Sequence, residues 1–529
     1  MRIKPFILPA LLVVLAALPV VFADRGDRAP RAARRVIIYT PHNEQIRSEF
    51  GRAFRVWHER NFGEAVAVVW NTPGGTSEIR RVLDANAAAA LREGRPIGGN
   101  ADLVFGGGSY EYGQLKREIV VGSGDARRSG RILAKPDLDP EWLAQTYGRN
   151  SIGDNTLYDP DGYWYGVALS GFGIVYNRDR LADLGLDEPT EWSELADARL
   201  AAGVTLVNPA QSGSVKTALE AIIQRLGWER GWQIIRRMSA NARSVASSAP
   251  KVPLDVSAGD SVAGPCIDFY GRYQAQAIRD AGDPDRLGYV DPPGQTVIDP
   301  DPIALLANAP NKEIAERFIQ FTLSDEGQAL WQFRAAEREA GELGPREFEL
   351  RRMPVRRSFI ERYGAEFIDQ VDPFALASAV RDPDPHARSF IAPIFSAICA
   401  DRRSELARAW RAIREHPAYP APSSGRGMMV TAADVSDPTL KAMLEAFDAM
   451  PVVRAPDGTL HDLATREGRA AVAAGYLAKN PAWAGTGLWL EGSSPADELR
   501  RTLGAAVTER YEEVVRLSRE RIAAGAARP

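Results

Sequence analysis

Residues 36–57 constrain the fold more than any other stretch of the 529-residue chain. The run Val36-Ile37-Ile38-Tyr39 is apolar without polar alternation, which suits a strand covered on both faces, as parallel strands flanked by helices are. Pro41 stops the run, and Ile46, Phe50, Phe54 and Trp57 then recur at spacings of four, four and three along one helical stripe. Thr40, Pro41, His42 and Asn43 therefore form a loop at a strand's carboxyl end, where open α/β sheets bind ligands.

The same unit recurs twice. Residues 66–70 read as a second apolar strand, followed by Asn71-Thr72-Pro73-Gly74-Gly75-Thr76-Ser77 and a helix whose apolar face starts at Ile79, Val82 and Leu83. Thr76 or Ser77 is the expected N-cap, leaving free N–H groups beside Gly74 and Gly75 that attract anions. Residues 102–105 form a third strand ending in Gly106-Gly107-Gly108-Ser109, which lacks the GxGxxG spacing of a dinucleotide site. Strand, loop and helix in alternation begin a doubly wound sheet.

Further along, residues 166–170 and 174–177 read as two short strands joined across Gly171-Phe172-Gly173, a place where the chain can pass between lobes. Residues 204–207 form another apolar strand, whose loop ends in Ser212-Gly213-Ser214. The helix opened there carries Val215, Leu219, Ile222, Ile223 and Leu226 on one face and stops at Gly227. Hydroxyls and bare N–H groups at its start suit an oxyanion, with Lys216 adding charge, although serines also cap helices with no ligand present. A strand through residues 262–270 is expected to end in Asp268 and Tyr270. The Pro-rich residues 291–302 offer a second change of lobe, residues 303–306 a buried return strand, and residues 311–323 and 325–333 two helices. Beyond about Pro393 the pattern becomes helix after helix. The last is read as capped by Ser494, with Pro495 first in the helix and Leu499, Leu503, Val507, Tyr511, Val514 and Leu517 on one stripe, facing either the chain's own core or a partner.

Length favours two to four folding units, and a formal net charge of only −4 gives no basic field pointing to nucleic acid. Residues 1–23 read as a signal peptide: Arg2 and Lys4 precede an apolar run broken by Pro9 and Pro19, and Val21-Phe22-Ala23 fits a cleavage site. The expected mature protein is exported and starts at Asp24. Cys266 and Cys399 are expected to be buried, unpaired thiols, without the spacing of a zinc site. Catalytic signatures are missing: no GxSxG occurs, Ser212 and Ser214 have the wrong spacing to Lys216 for SxxK, and His58-Glu59 lacks the second histidine of HExxH. An exported hydrolase is therefore the weaker class, and the chain is expected not to be an enzyme.

Taken together, Tyr39-Thr40-Pro41-His42-Asn43-Glu44, Gly74-Gly75-Thr76-Ser77, Gly173-Ile174-Val175-Tyr176-Asn177, Ser212-Gly213-Ser214, Gly227-Trp228-Glu229 with Gly231-Trp232, and Asp268-Phe269-Tyr270 resemble the bacterial extracellular solute-binding proteins of ABC importers, closest to the ferric-iron-binding branch. The resemblance covers about residues 35–375. It implies an α/β, two-lobe periplasmic binding protein fold of type II with an interlobe cleft, to which this chain adds a mainly helical C-terminal extension. The expected divisions are 34–169 for the first part of lobe 1, 170–294 for lobe 2, 295–392 for the return to lobe 1, and 393–529 for the extension. The implied ligand residues are Thr40, His42, Asn43, Gly75, Thr76, Ser77, Ser170, Ser212, Gly213, Ser214, Asp268 and Tyr270.

By the same resemblance, His42, Asp268 and Tyr270 would form a metal set, hard donors for Fe(III) as transported ligand, with no resident cofactor. The branch's adjacent tyrosine pair is missing, since Phe269 precedes Tyr270 and Gly271 follows it. An anionic solute such as a phosphonate, phosphate ester or carboxylate is the alternative. The implied partners are the permease and ATPase subunits of an importer, the implied location the periplasm, and the expected state a monomer. A receptor-like subunit that docks through the C-terminal helices is a third class.

Overall fold

The computed structural model describes residues 34–283, 286–421, 424–478, 480, 483 and 495–526; the expected signal peptide and the Ser494 cap lie outside them. Strand β1 (Arg34–Tyr39) leads into helix α1 (Glu44–Phe62), β2 (Val66–Asn71) into α2 (Thr76–Arg92), and β3 (Leu103–Phe105) into the short α3 (Ser109–Leu115). β1 pairs in parallel with both β2 and β3, as its unalternated apolar sequence requires. Ile46, Phe50 and Phe54 are buried beneath α1 against Phe105, Phe318, Phe321 and Trp331.

The lobes separate where strands leave one sheet for the other. β4 (Tyr165–Ser170) belongs to the first sheet, and after Gly171 the chain enters β5 (Phe172–Asn177) of the second. Lobe 2 continues with β6 (Val204–Val207), α4 (Gly213–Leu226), α5 (Trp228–Ala240), β7 (Ala242–Ala246), β8 (Ala263–Ile267), α6 (Asp268–Asp280) and β9 (Leu287–Val290). The chain then returns through β10 (Asp299–Leu306), which lies antiparallel between β3 and β4. Helices α7 (Lys312–Leu323) and α8 (Asp325–Gln332) follow, with β11 (Met353–Pro354) closing the edge. The first sheet runs β11-β4-β10-β3-β1-β2, with Leu133–Ala134 also paired to β10, and the second runs β7-β6-β8-β5-β9. Two mixed sheets joined by two crossings form the two-lobe fold of type II periplasmic binding proteins.

Two secondary-structure expectations differ from the structure. The strand expected to end in Asp268 and Tyr270 stops at Ile267, and both residues lie in the first turn of α6. The N-cap of α2 is Gly75, not Thr76 or Ser77, and Glu78 Oε2 accepts its N–H at 2.9 Å.

The C-terminal region is mainly helical, with α9 (Ala387–Phe395), α10 (Arg403–Arg414), α11 (Pro438–Asp448), a hairpin of β12 (Val452–Arg454) and β13 (Leu460–Asp462), and the long α12 (Pro495–Ala526). The hairpin interrupts the expected succession of helices. Leu499, Leu503, Val507, Tyr511 and Val514 on α12 are all buried against the chain's own core, which corrects the partner reading of that stripe. At roughly 1.5–3 kcal/mol per fully buried apolar side chain, packing of this stripe holds the helix. Cys266 and Cys399 are free and buried.

The region is joined to lobe 2 by buried charge as well as by apolar packing. Arg237 on α5 is fully buried and donates from Nη1 and Nη2 to the two carboxylate oxygens of Asp448, at 2.5 and 2.8 Å. Its neighbour Arg236 donates to the Phe447 and Ala449 carbonyls. Removing one partner of such a pair strands a charge in the core. Asp448→Ala is expected to destabilise the protein by about 3–5 kcal/mol, read as the fall in equilibrium unfolding free energy in urea.

Candidate functional site

Between the lobes lies a cleft of ≈ 460 Å³. The N-cap residues of four helices longer than two turns line it: Asn43 of α1, Gly75 of α2, Ser212 of α4 and Ile267 of α6. The first N–H groups of a helix have no partner within it, so each of these ends carries partial positive charge toward the cleft. Among the four, α4 alone has no acidic residue in its first turn. Ser212 Oγ accepts from Val215 N at 3.4 Å and lies 3.1 Å from Ser214 Oγ, so both hydroxyls stand at that helix end.

The base of the cleft is built around Arg352, from the segment just before β11. Its Nη1 donates to Asp301 Oδ2 and lies 3.1 Å from His42 Nε2, while Nη2 donates to Ser170 Oγ at 2.7 Å. His42 Nε2 is also 2.8 Å from Asp301 Oδ2, and Asp301 Oδ1 accepts from Gly107 N at 2.5 Å. The guanidinium stacks 4.5 Å from the Phe269 ring centroid. Burial holds the His42 imidazole below its ordinary pKa against the pull of Asp301, and Arg352 adds to the depression. Burial alone would push Asp301 up, but Arg352 and His42 together bring it below the usual carboxylate value.

Most of the expected site residues meet here. His42, Asn43, Gly75, Thr76, Ser170, Ser212, Gly213, Ser214 and Tyr270 line the cleft, so His42 and Tyr270 do share one cavity. Thr40, Ser77 and Asp268 do not. Thr40 is fully buried, its hydroxyl accepting from His42 N at 3.1 Å, and Ser77 is buried inside the first turn of α2. Asp268 is fully buried behind the cleft wall, where its carboxylate accepts from Gly171 N at 2.9 Å and Phe269 N at 2.7 Å. It ties α6 to the first crossing, and burial raises its pKa.

The expected metal set is consequently not assembled: Asp268 faces the hinge, and a guanidinium stands against His42 Nε2. Among the described residues no group of three or more His, Cys, Asp and Glu side chains is placed to hold a metal ion. Tyr270 remains on the cleft wall, its phenol pushed up to about 12 by burial. Lys216 is not among the lining residues.

Sequence reasoning missed Arg352, Arg388, Asp299 and Asp301, which also line the cleft. Asp299 and Asp301 carried a signal, two acids at period two inside an apolar return strand. The two arginines carried none, since they reach the cleft only through long-range packing. The lining acids are engaged internally: Glu111 with Arg80 at 2.6 Å, Glu78 with the Gly75 N–H, Asp301 with Arg352, and Asp299 with the Ser109 hydroxyl at 2.6 Å.

Residues 138–336 match the family described as bacterial extracellular solute-binding protein. Among curated relatives, the phosphoglycerate transport regulatory protein PgtC of Salmonella typhimurium is 29% identical over 164 residues, 31% of this chain and 39% of the relative. An uncharacterized protein of Haemophilus influenzae is 27% identical over 205 residues, 38% of this chain and 57% of its own length. The matches thus span well under two thirds of these relatives. Among solved structures, the periplasmic binding protein AfuA of Actinobacillus pleuropneumoniae, with fructose-6-phosphate bound, has a TM-score of 0.47 at 18% identity, covering 71% of this chain and 97% of that one. Iron-bound HitA of Pseudomonas aeruginosa has a TM-score of 0.45 at 16% identity, covering 67% and 95%.

Burial raises the Asp299 carboxyl to about 6, above its ordinary 3.8, despite the Ser109 donors. Because the folded pKa is the higher one, the folded state binds this proton more tightly, and the stability it contributes is present at low pH and lost as pH rises through about 6. Asp299→Asn is therefore expected to raise stability above pH 7 by up to about 3 kcal/mol, with the gain vanishing below pH 4. Urea unfolding at both pH values measures it.

Proposed function

We propose that the protein is the substrate-binding component of an ABC-type importer, capturing a small anionic solute in the interlobe cleft at the periplasmic side and handing it to a membrane permease. The observation that carries this reading is the convergence of four helix N-termini with Arg352 and Arg388 on one cavity whose acids are engaged internally. Phosphate esters and carboxylates present the charged oxygens such a surface takes up. Fe(III) calls for several anionic oxygen donors on one centre, which is less compatible with a guanidinium beside His42. The name of the Salmonella relative, a phosphoglycerate transport protein, points the same way.

Closure follows from the connectivity. A solute touching Asn43, Gly75 and Thr76 of lobe 1 and Ser212, Gly213 and Ser214 of lobe 2 interacts more strongly with the closed arrangement than with the open one, which shifts the population toward closure. No catalytic step is assigned. The word "regulatory" in the same relative's name supports a second reading, in which the loaded protein signals to a membrane sensor instead of feeding a permease.

A thermal-shift series of the exported protein with inorganic phosphate, 3-phosphoglycerate, citrate, spermidine and ferric citrate tests the ligand class. A phosphorylated or carboxylated probe at ~100 times its dissociation constant is expected to add about 2.7 kcal/mol of stability. Ser212→Ala with Ser214→Ala is expected to weaken that probe roughly tenfold, the loss of about 1.4 kcal/mol. A shift confined to the ferric probe over citrate alone, and abolished by Tyr270→Phe, would overturn the anion reading in favour of iron.

A further inference from the structure

The cleft does not end at Arg388. A second chamber of ≈ 450 Å³ shares Thr217, Asp299 and Arg388 with the first and runs along α4 past Ala221 and Gln224. Its far wall comes from lobe 1, with Tyr110, Asp154 and Trp164, and its cover comes from Val380 and Pro383. That cover lies beyond residues 138–336, the part matched by the solute-binding family.

The covering segment is tied to both lobes. Val380 N donates to Asp154 Oδ2 at 2.5 Å on the lobe 1 side. On the lobe 2 side, Arg225 donates to the Ser378 carbonyl at 2.5 Å, and Gln224 exchanges two bonds of 2.9 Å with the backbone of Asp384. Arg388 itself leaves α9 to reach the wall between the chambers, with its side chain only 10% exposed. Its Nη1 donates to Glu220 at 2.5 Å and to Thr217 Oγ1 at 3.1 Å, and the guanidinium lies 4.2 Å from the Tyr110 ring centroid. Arg388 Nε is buried without a hydrogen-bond partner among the described residues.

The two chambers differ in chemistry. Helix N-termini and Arg352 mark the first, whereas the second combines the faces of Tyr110 and Trp164 and the side chains of Val297 and Val380 with polar groups at Asp154, Asn155, Gln224 and Asp299. Flat apolar faces beside carboxylate and amide oxygens suit a carbon skeleton bearing hydroxyl groups, because the C–H faces pack and the O–H groups donate. Asp299 Oδ1 accepts one hydrogen bond from the Ser109 hydroxyl, and the ionised carboxylate has lone pairs left for others.

We propose that residues 380–388 extend the binding site, so that the solute spans both chambers: its oxyanion at the N-terminus of α4 and a hydroxylated chain or ring beyond Arg388, against Tyr110, Trp164 and Asp299. This rests on the anion reading of the first chamber. It assigns to a segment beyond residues 138–336 the choice among anions according to what they carry.

Titration calorimetry of the exported protein with inorganic phosphate, glycerol 3-phosphate and glucose 6-phosphate tests it. Affinity is expected to rise at least tenfold from phosphate to glucose 6-phosphate. Val380→Trp, which fills the second chamber from its cover, is expected to abolish that rise while leaving phosphate binding within about twofold. Ala221→Leu, which intrudes from α4, is expected to act in the same direction and serves if the tryptophan variant does not fold. Phosphate binding with no gain from the larger esters, or a gain untouched by a folded variant, overturns the two-chamber proposal and leaves the anion reading standing. Failure of all three probes to bind overturns both.

Discussion

The buried contact of Arg352 with Asp301, with His42 and Ser170 against it, is the interaction on which the cleft depends. It gathers four chain segments that are far apart in sequence: the first loop, the end of the first crossing strand, the return strand, and the stretch before β11. A guanidinium and a carboxylate taken out of water cost several kcal/mol each unless their geometry and remaining bonds compensate. Here Gly107 N supplies the other carboxylate oxygen, Ser170 takes two guanidinium bonds, and the Phe269 face covers the cation. Residues from both lobes thus meet on one ion pair, and the floor of the site is fixed before any ligand enters.

Around that floor the electrostatics follow from topology. Helices that follow parallel strands of one sheet begin at the same edge, so the N-termini of α1 and α2 from one lobe and α4 and α6 from the other open on the cleft between them. The acids needed to cap helices and hold the arginines are satisfied by backbone N–H groups or by cations. Apart from the remaining lone pairs of Asp299, what is left toward the cavity is mainly donors. That balance, more than any single residue, inclines the site toward an anionic solute.

The C-terminal region shows how an added segment becomes part of a lobe. α5 presents Trp228 and Trp232 as well as Arg236 and Arg237 to it, and α9, α10, α11 and α12 cover them in one continuous core. An arginine buried in this way needs its acid and carbonyl acceptors in place, so lobe 2 and the region beyond residue 393 depend on each other. α9, which opens the C-terminal helices, sends Arg388 back to the cleft, linking a structural addition to the site.

The alternation of apolar strand, glycine- and serine-rich loop and amphipathic helix determined, by itself, that the chain builds α/β lobes with ligand loops at the strand ends. Local periodicity carries that information, because burial on both faces and an N-cap are requirements met within a few residues. His42, Asn43, Gly75, Thr76, Ser212 and Ser214 were legible for that reason, and all line the cleft. The direction of Asp268 was not legible, since one residue's difference between a strand end and a helix first turn moves its carboxylate from the cavity to the hinge. Nor could Arg352, Arg388, Asp299 and Asp301 be assigned to one place from their neighbours in sequence. Only the tertiary structure brought them together, because contacts across hundreds of residues are decided by how whole sheets and helices pack and by the demand that every buried charge find its partner.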